Sequence, residues 1–179
     1  MAAFPNTRHK VHEAAHFLTL MRLAELPIDG RVPRELAGPR AFKFAFSAFL
    51  SAARAVAYSL QEEGASLPGF TRWYVAAREQ LLRDDTLTFF GSRGTYRLVF
   101  PDEVVDLPVP PTRLTNHQVH PPDAADGPPA IATTPARGIV TFAARPGMAA
   151  ADLCTRYLEQ LARVTDLACQ QLTAPAAAT

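Results

Sequence analysis

The sequence predicts a mainly α chain: an antiparallel bundle of four to five helices, interrupted by a Pro-rich excursion that can form a small β-hairpin. Three observations predict it. Apolar residues recur at intervals of three and four over four separate stretches, which puts them on one face of a helix each time. One of those stretches, 41–63, is apolar on nearly every side, as a helix surrounded by others must be. Ten of the 16 prolines fall between 101 and 147, where no helical period survives.

Taken in order, the first helix is expected over about Thr7 to Glu25, with Val11, Ala14, Leu18 and Met21 forming its stripe. The run LPIDGRVPRELAGPR breaks the period with prolines and glycines. The second helix, about Ala41 to Glu63, carries Phe42, Phe46, Phe49, Ala53, Val56 and Leu60 in series. After GASLP, the spacing of Phe70, Trp73, Tyr74, Ala77 and Leu81 predicts a third helix to about Arg83. A short fourth helix starts with Asp84 or Asp85 as its cap, and its end is open because TYRLVF favours strand. Within the excursion, RLTNHQV and GIVTFAA are the strand-prone pieces. The last helix, about Ala149 to Leu172, aligns Leu153, Tyr157, Leu161, Val164 and Ala168, and TAPAAAT beyond it is expected to fray.

A chain of 179 residues, 48% hydrophobic and 20% charged, suits a single domain, here with its core over about 7–100 and 148–172, an excursion over 101–147 and a tail over 173–179. The net charge of +1, from 18 basic and 17 acidic residues, supplies no broad field for a polyanion, so nucleic-acid binding needs a local patch. Cys154 and Cys169 are fifteen positions apart on one helix, roughly 22 Å at the helical rise, so they are expected as reduced thiols. With no leader pattern and no membrane-length apolar run, the chain is expected in the cytoplasm, with no membrane partner.

Two sets of residues invite a chemical reading. His12-Glu13-Ala14-Ala15-His16 matches the H-E-x-x-H signature of zinc peptidases, in which two histidines on one helical face hold the metal and the glutamate takes a proton from bound water. Glu25, His117 and His120 are the candidates for a third ligand. On a helical wheel, however, His12, His16 and His9 lie roughly opposite the apolar stripe, so the expected reading is a solvated face and no cofactor is predicted. The other set is Arg54, alone on an apolar helix and in need of acceptors such as Asp84, Asp85, Glu62 or Glu79, and the Trp73-Tyr74 pair, which reads as core before it reads as a stacking platform for bases.

The order FKFAFSAFLSAARAVAYSLQEE, then GFTRWYVAAREQLLRDDTLTFFGSRGTYRLVF, then DLCTRYLEQLARV resembles the bacterial branch of the HEPN domains, all-helical nucleotide-binding and ribonuclease modules. The likeness covers about two-thirds of the chain, roughly 9 to 100 and 148 to 172. It implies a homodimer, formed through the helices around Arg93 and the C-terminal helix, and a metal-independent cleavage of RNA. In that chemistry a histidine four to six residues after an arginine moves the proton of the ribose 2′-hydroxyl, and the arginine stabilises charge on the phosphate.

Aligned by position, Arg93 is that arginine, but Gly94 follows it and no histidine appears before His117. Tyr96 is a weak base near neutrality. His117 and His120 would have to fold back toward Arg93 to replace the missing imidazole, which is the route by which an active ribonuclease remains an alternative. The resemblance therefore implies a degenerate member: Arg93, Arg97 and Arg54 hold an RNA backbone or nucleotide, or Arg93 pairs within the bundle. The family's habits further imply a partner protein from a toxin-antitoxin or phage-defence system.

Overall fold

The structure, a computed structural model, describes residues 4–26, 32–81, 83–91, 95–108 and 139–172. Four long or medium helices form where the apolar periods lie: α1 (Pro5–Ala24), α2 (Gly38–Gly64), α3 (Phe70–Leu81) and, last in the chain, α5 (Ala150–Leu172), with the short α4 (Asp85–Gly91) between. A 3-10 turn over Arg34–Leu36 leads into α2. Gly38 makes the turn into the helix with φ +83, a conformation that other L residues rarely adopt.

Side-chain bonds fix how the helices run. Glu63, at the end of α2, reaches Asn6 and Thr7 at the start of α1, so these two are antiparallel. Arg8 meets Asp166 at 3.7 Å and Arg22 meets Asp152 at 3.8 Å, so α5 is also antiparallel to α1. These pairs are exposed and align the helices more than they stabilise them. The packing energy comes from the interior, where Ala14, Leu18 and Met21 of α1 and Leu153, Tyr157 and Leu161 of α5 meet the Phe-rich face of α2.

The chain is mainly helical, as the periodicity predicts, but the small hairpin was too modest an expectation. Strands β1 (Thr95–Val99), β2 (Val104–Pro108), β3 (Thr141–Phe142) and β4 (Arg145–Ala149) form one antiparallel sheet in the order β2-β1-β3-β4. Two hairpins, β1 with β2 and β3 with β4, are joined by pairing of Leu98 with Phe142 and Val99 with Thr141. The physical reason lies in the alternation of β1: Tyr96 and Leu98 are buried while Thr95 and Arg97 are exposed, which is how a strand with one covered face must read. An antiparallel helical bundle alone therefore does not describe the architecture. Phe142, expected in the excursion, is a core residue at 1% exposure.

Sheet and helices share this core. Phe46 of α2 lies 5.6 Å from the Tyr96 ring and 5.5 Å from that of Phe142, and Phe90 of α4 lies 4.7 Å from Tyr157 of α5. A second cluster joins Phe4, Leu60, Phe70, Val164 and Ala168 at the other end of α2, with Trp73 and Tyr74 half-buried against it. There the Phe70 ring presses against Gly64 so closely that an added Cβ would overlap it. Gly64→Ala is therefore expected to lower stability by about 1–3 kcal/mol, read as a drop in the denaturation midpoint, and an unchanged midpoint would show that the ring yields freely.

Candidate functional site

The joint between α4 and β1 is where the sequence places its candidate chemistry, and its construction starts with α4. Asp84 caps this helix: its Oδ1 accepts the amides of Thr86 at 2.8 Å and Leu87 at 3.0 Å. Asp85, the other expected cap, forms an ion pair with Arg145 of β4. Phe89 and Phe90 then drive the end of the helix into the core, one against Phe142 and the other stacked on Tyr157. The backbone carbonyl of Phe90 emerges at this end, three residues before Arg93 in the chain.

Two side chains converge on that carbonyl. Arg54, half-buried on α2, donates to it from Nη2 at 3.4 Å, and the Tyr96 hydroxyl donates to it at 2.8 Å. Among the four carboxylates expected as acceptors for Arg54, Asp84 and Asp85 are engaged as just described. The guanidinium thus has a backbone carbonyl as a partner, a type of acceptor that leaves no mark in a sequence. Close by, burial pushes the Tyr157 phenol above its ordinary range, with the neighbouring Tyr96 adding to the shift and Arg54 opposing it. Both rings are packed in the core, and the Tyr96 hydroxyl is the donor in its bond to the Phe90 carbonyl.

Tyr96, a candidate for catalysis, is 1% exposed, so no substrate reaches its hydroxyl in this arrangement. Arg97 faces outward from β1 and makes a bidentate pair with Asp106 of β2, at 2.8 Å and 3.0 Å. The two residues are directly opposite in the strand register, and the guanidinium holds the Asp106 carboxyl below the usual range despite some desolvation. Arg97 is consequently exposed but partly neutralised. Arg93, His117 and His120 lie outside the described residues.

Among the described residues the geometry groups no further metal ligand with His12 and His16. His12 and His16 are both exposed on α1, on the side away from Ala14 and Leu18. Glu13, which would have to act as base, pairs with Lys10 at 2.6 Å. Glu25 is half-buried at the end of α1, where its Oε1 accepts the Val140 amide at 3.0 Å, and burial raises its carboxyl above the ordinary value against the pull of that bond. Among the described residues no three His, Cys, Asp or Glu side chains are grouped to hold a metal. Replacing His12 and His16 together by Ala is expected to move stability by no more than about 0.5 kcal/mol and to leave zinc content at background; stoichiometric zinc lost with the pair would restore the hydrolase reading.

Cys154 is buried and Cys169 half-buried, and both are free thiols, as their helical separation requires. Among the described residues no helix is long and apolar enough to cross a membrane. Trp73 donates its indole N–H to Gln171 of α5 at 2.7 Å, and Phe70 lies 5.9 Å from its ring. The spacing of Trp73 implied core, yet the residue also lines a groove between α3 and α5 that apolar periodicity could not reveal. No family model, curated protein or solved structure matches this chain.

Proposed function

We propose that this chain is a HEPN-like binding module that has lost its cleavage chemistry, holding the phosphate of an RNA backbone or nucleotide at Arg93 as a homodimer. One observation carries the loss of chemistry. The positions where the resemblance would put a general acid-base histidine fall in β1, and that strand offers no imidazole. Its inward residues Tyr96 and Leu98 are sealed in the core, and its outward Arg97 is paired with Asp106. No group on this strand has an ordinary pKa near neutrality, so proton transfer from a ribose hydroxyl has no agent there. Binding asks less of the site, because a guanidinium can grip an oxyanion without any proton transfer.

The clasp of Arg54 and Tyr96 on the Phe90 carbonyl ties α2, α4 and β1 together three residues before Arg93 in the chain. Arg54 is in this reading a positioning residue with a structural role, acting through its bond to the Phe90 carbonyl. Regulation of a partner protein in a toxin-antitoxin or phage-defence pair is the role that this reading favours.

Fluorescence anisotropy with a labelled single-stranded RNA tests the binding. The wild-type chain is expected to bind with an affinity that falls as salt rises, and Arg93→Ala to weaken it about tenfold or more. Equal affinity of the two proteins would remove Arg93 from the site and the proposal with it. Light scattering on the same preparations is expected to return twice the monomer mass at micromolar concentration.

A further inference from the structure

A second site lies at the opposite end of α4 and does not depend on the reading above. Helices α3 and α5 do not close on one another along their whole length. Trp73, Ala76, Ala77 and Gln80 follow the helical repeat down one wall, and Gln160, Val164, Leu167 and Gln171 follow it down the other. Alanines on one wall and glutamines at the rim of both leave the space between them unfilled, with a volume of about 500 Å³. That volume lies in the range that small-molecule sites occupy.

The lining is chemically divided. Trp73 supplies a flat apolar surface whose orientation is held by its bond to Gln171 and by Phe70 behind it, and Val164 and Leu167 extend that surface on α5. Arg83 and Arg163 supply two cations to the same space, and among the described residues neither is in an ion pair. The carboxylate in the lining, Asp84, has Oδ1 committed to the amides of Thr86 and Leu87. Hydrogen bonding leaves the Asp84 carboxylate charged, but two arginines against one carboxylate still give the lining a net positive charge, which favours an anionic ligand. A ring against the indole and an oxyanion between the guanidinium groups satisfy both halves of the lining at once.

We propose that the groove between α3 and α5 binds a small aromatic oxyanion, its ring against Trp73 and its phosphate or carboxylate held by Arg83 and Arg163. Because Trp73 is the single tryptophan of the chain, its emission reports directly on the groove. Titration of the full chain with phenyl phosphate and with benzoate is expected to give a saturable change in emission, matched by calorimetry, for one or both; the tighter of the two identifies the terminal group. Arg83→Gln and Arg163→Gln, both at exposed positions, are expected to fold as wild type by circular dichroism and to weaken that binding about tenfold each. Three results would overturn the proposal: no saturable change with either compound, undiminished binding in both variants, or equal affinity for benzamide and inorganic phosphate, which carry only the ring or only the charge.

Discussion

Phe46→Ala is expected to lower the free energy of unfolding by about 3–5 kcal/mol, the range for removing a fully enclosed phenylalanine. The side chain is 0% exposed and stands where three elements meet: its ring is 6.5 Å from Phe42 on its own helix, 5.6 Å from Tyr96 on β1 and 5.5 Å from Phe142 on β3. Truncation leaves a cavity that rigid neighbours from a helix and a sheet cannot close together. Urea denaturation reads the effect as a fall in midpoint with the slope preserved. A double-mutant cycle with Phe142→Ala extends the test, since rings in contact should show a coupling of about 0.5 kcal/mol or more. A loss below about 1 kcal/mol for Phe46→Ala would mean that the sheet does not share a core with α2.

Glu63→Ala comes next in size, at about 2–3 kcal/mol, because one carboxylate satisfies three donors at the start of α1. That helix begins without a capping side chain of its own: Phe4 stands at the N-cap with φ 56 and ψ 53 and offers no oxygen. Glu63 substitutes from across the helix pair, accepting the amides of Asn6 at 2.8 Å and Thr7 at 2.9 Å and the Thr7 hydroxyl at 2.7 Å. Thr7 is fully buried, so its hydroxyl would lose its acceptor where water cannot replace it.

The same bonds set a pH dependence. Burial alone would raise the Glu63 carboxyl, but the Thr7 hydroxyl and the two amides outweigh it and hold the group below its ordinary value of 4.5. A carboxyl depressed by folding contributes fully above its unfolded value, and that contribution fades as pH falls through the lower folded value. Denaturation at neutral pH and again near pH 3 should show the difference between wild type and Glu63→Ala shrinking in acid. A difference that stays constant would detach the stabilisation from the ionised carboxylate.

Much of this architecture can be read from the residues. The stripes through Leu18, Val56 and Leu161 mark α1, α2 and α5 because a long amphipathic period has no competing explanation. The sheet is less legible, for a physical reason. β3 is two residues long, too short for any alternation to register, and its pairing with β1 joins residues more than forty positions apart. TYRLVF did carry the signal for β1 in its buried Tyr96 and Leu98, but five residues after a helix read equally well as its fraying end. At the site, Arg54 on an apolar helix announced a polar interaction, while one of its partners, the Phe90 carbonyl, belongs to the backbone and has no sequence signature. The tertiary cap by Glu63 is hidden for the same reason: nothing near Phe4 in the chain points to a residue more than fifty positions away.

Incubation of the purified chain with single-stranded RNA in excess chelator, beside Arg93→Ala, bears most directly on the claim that this module grips without cutting. Intact RNA in both reactions, at protein concentrations where the wild type is saturated with RNA, is the expected result. Cleavage by the wild type that disappears in Arg93→Ala would contradict it, and would mean that an imidazole from elsewhere in the chain completes the centre.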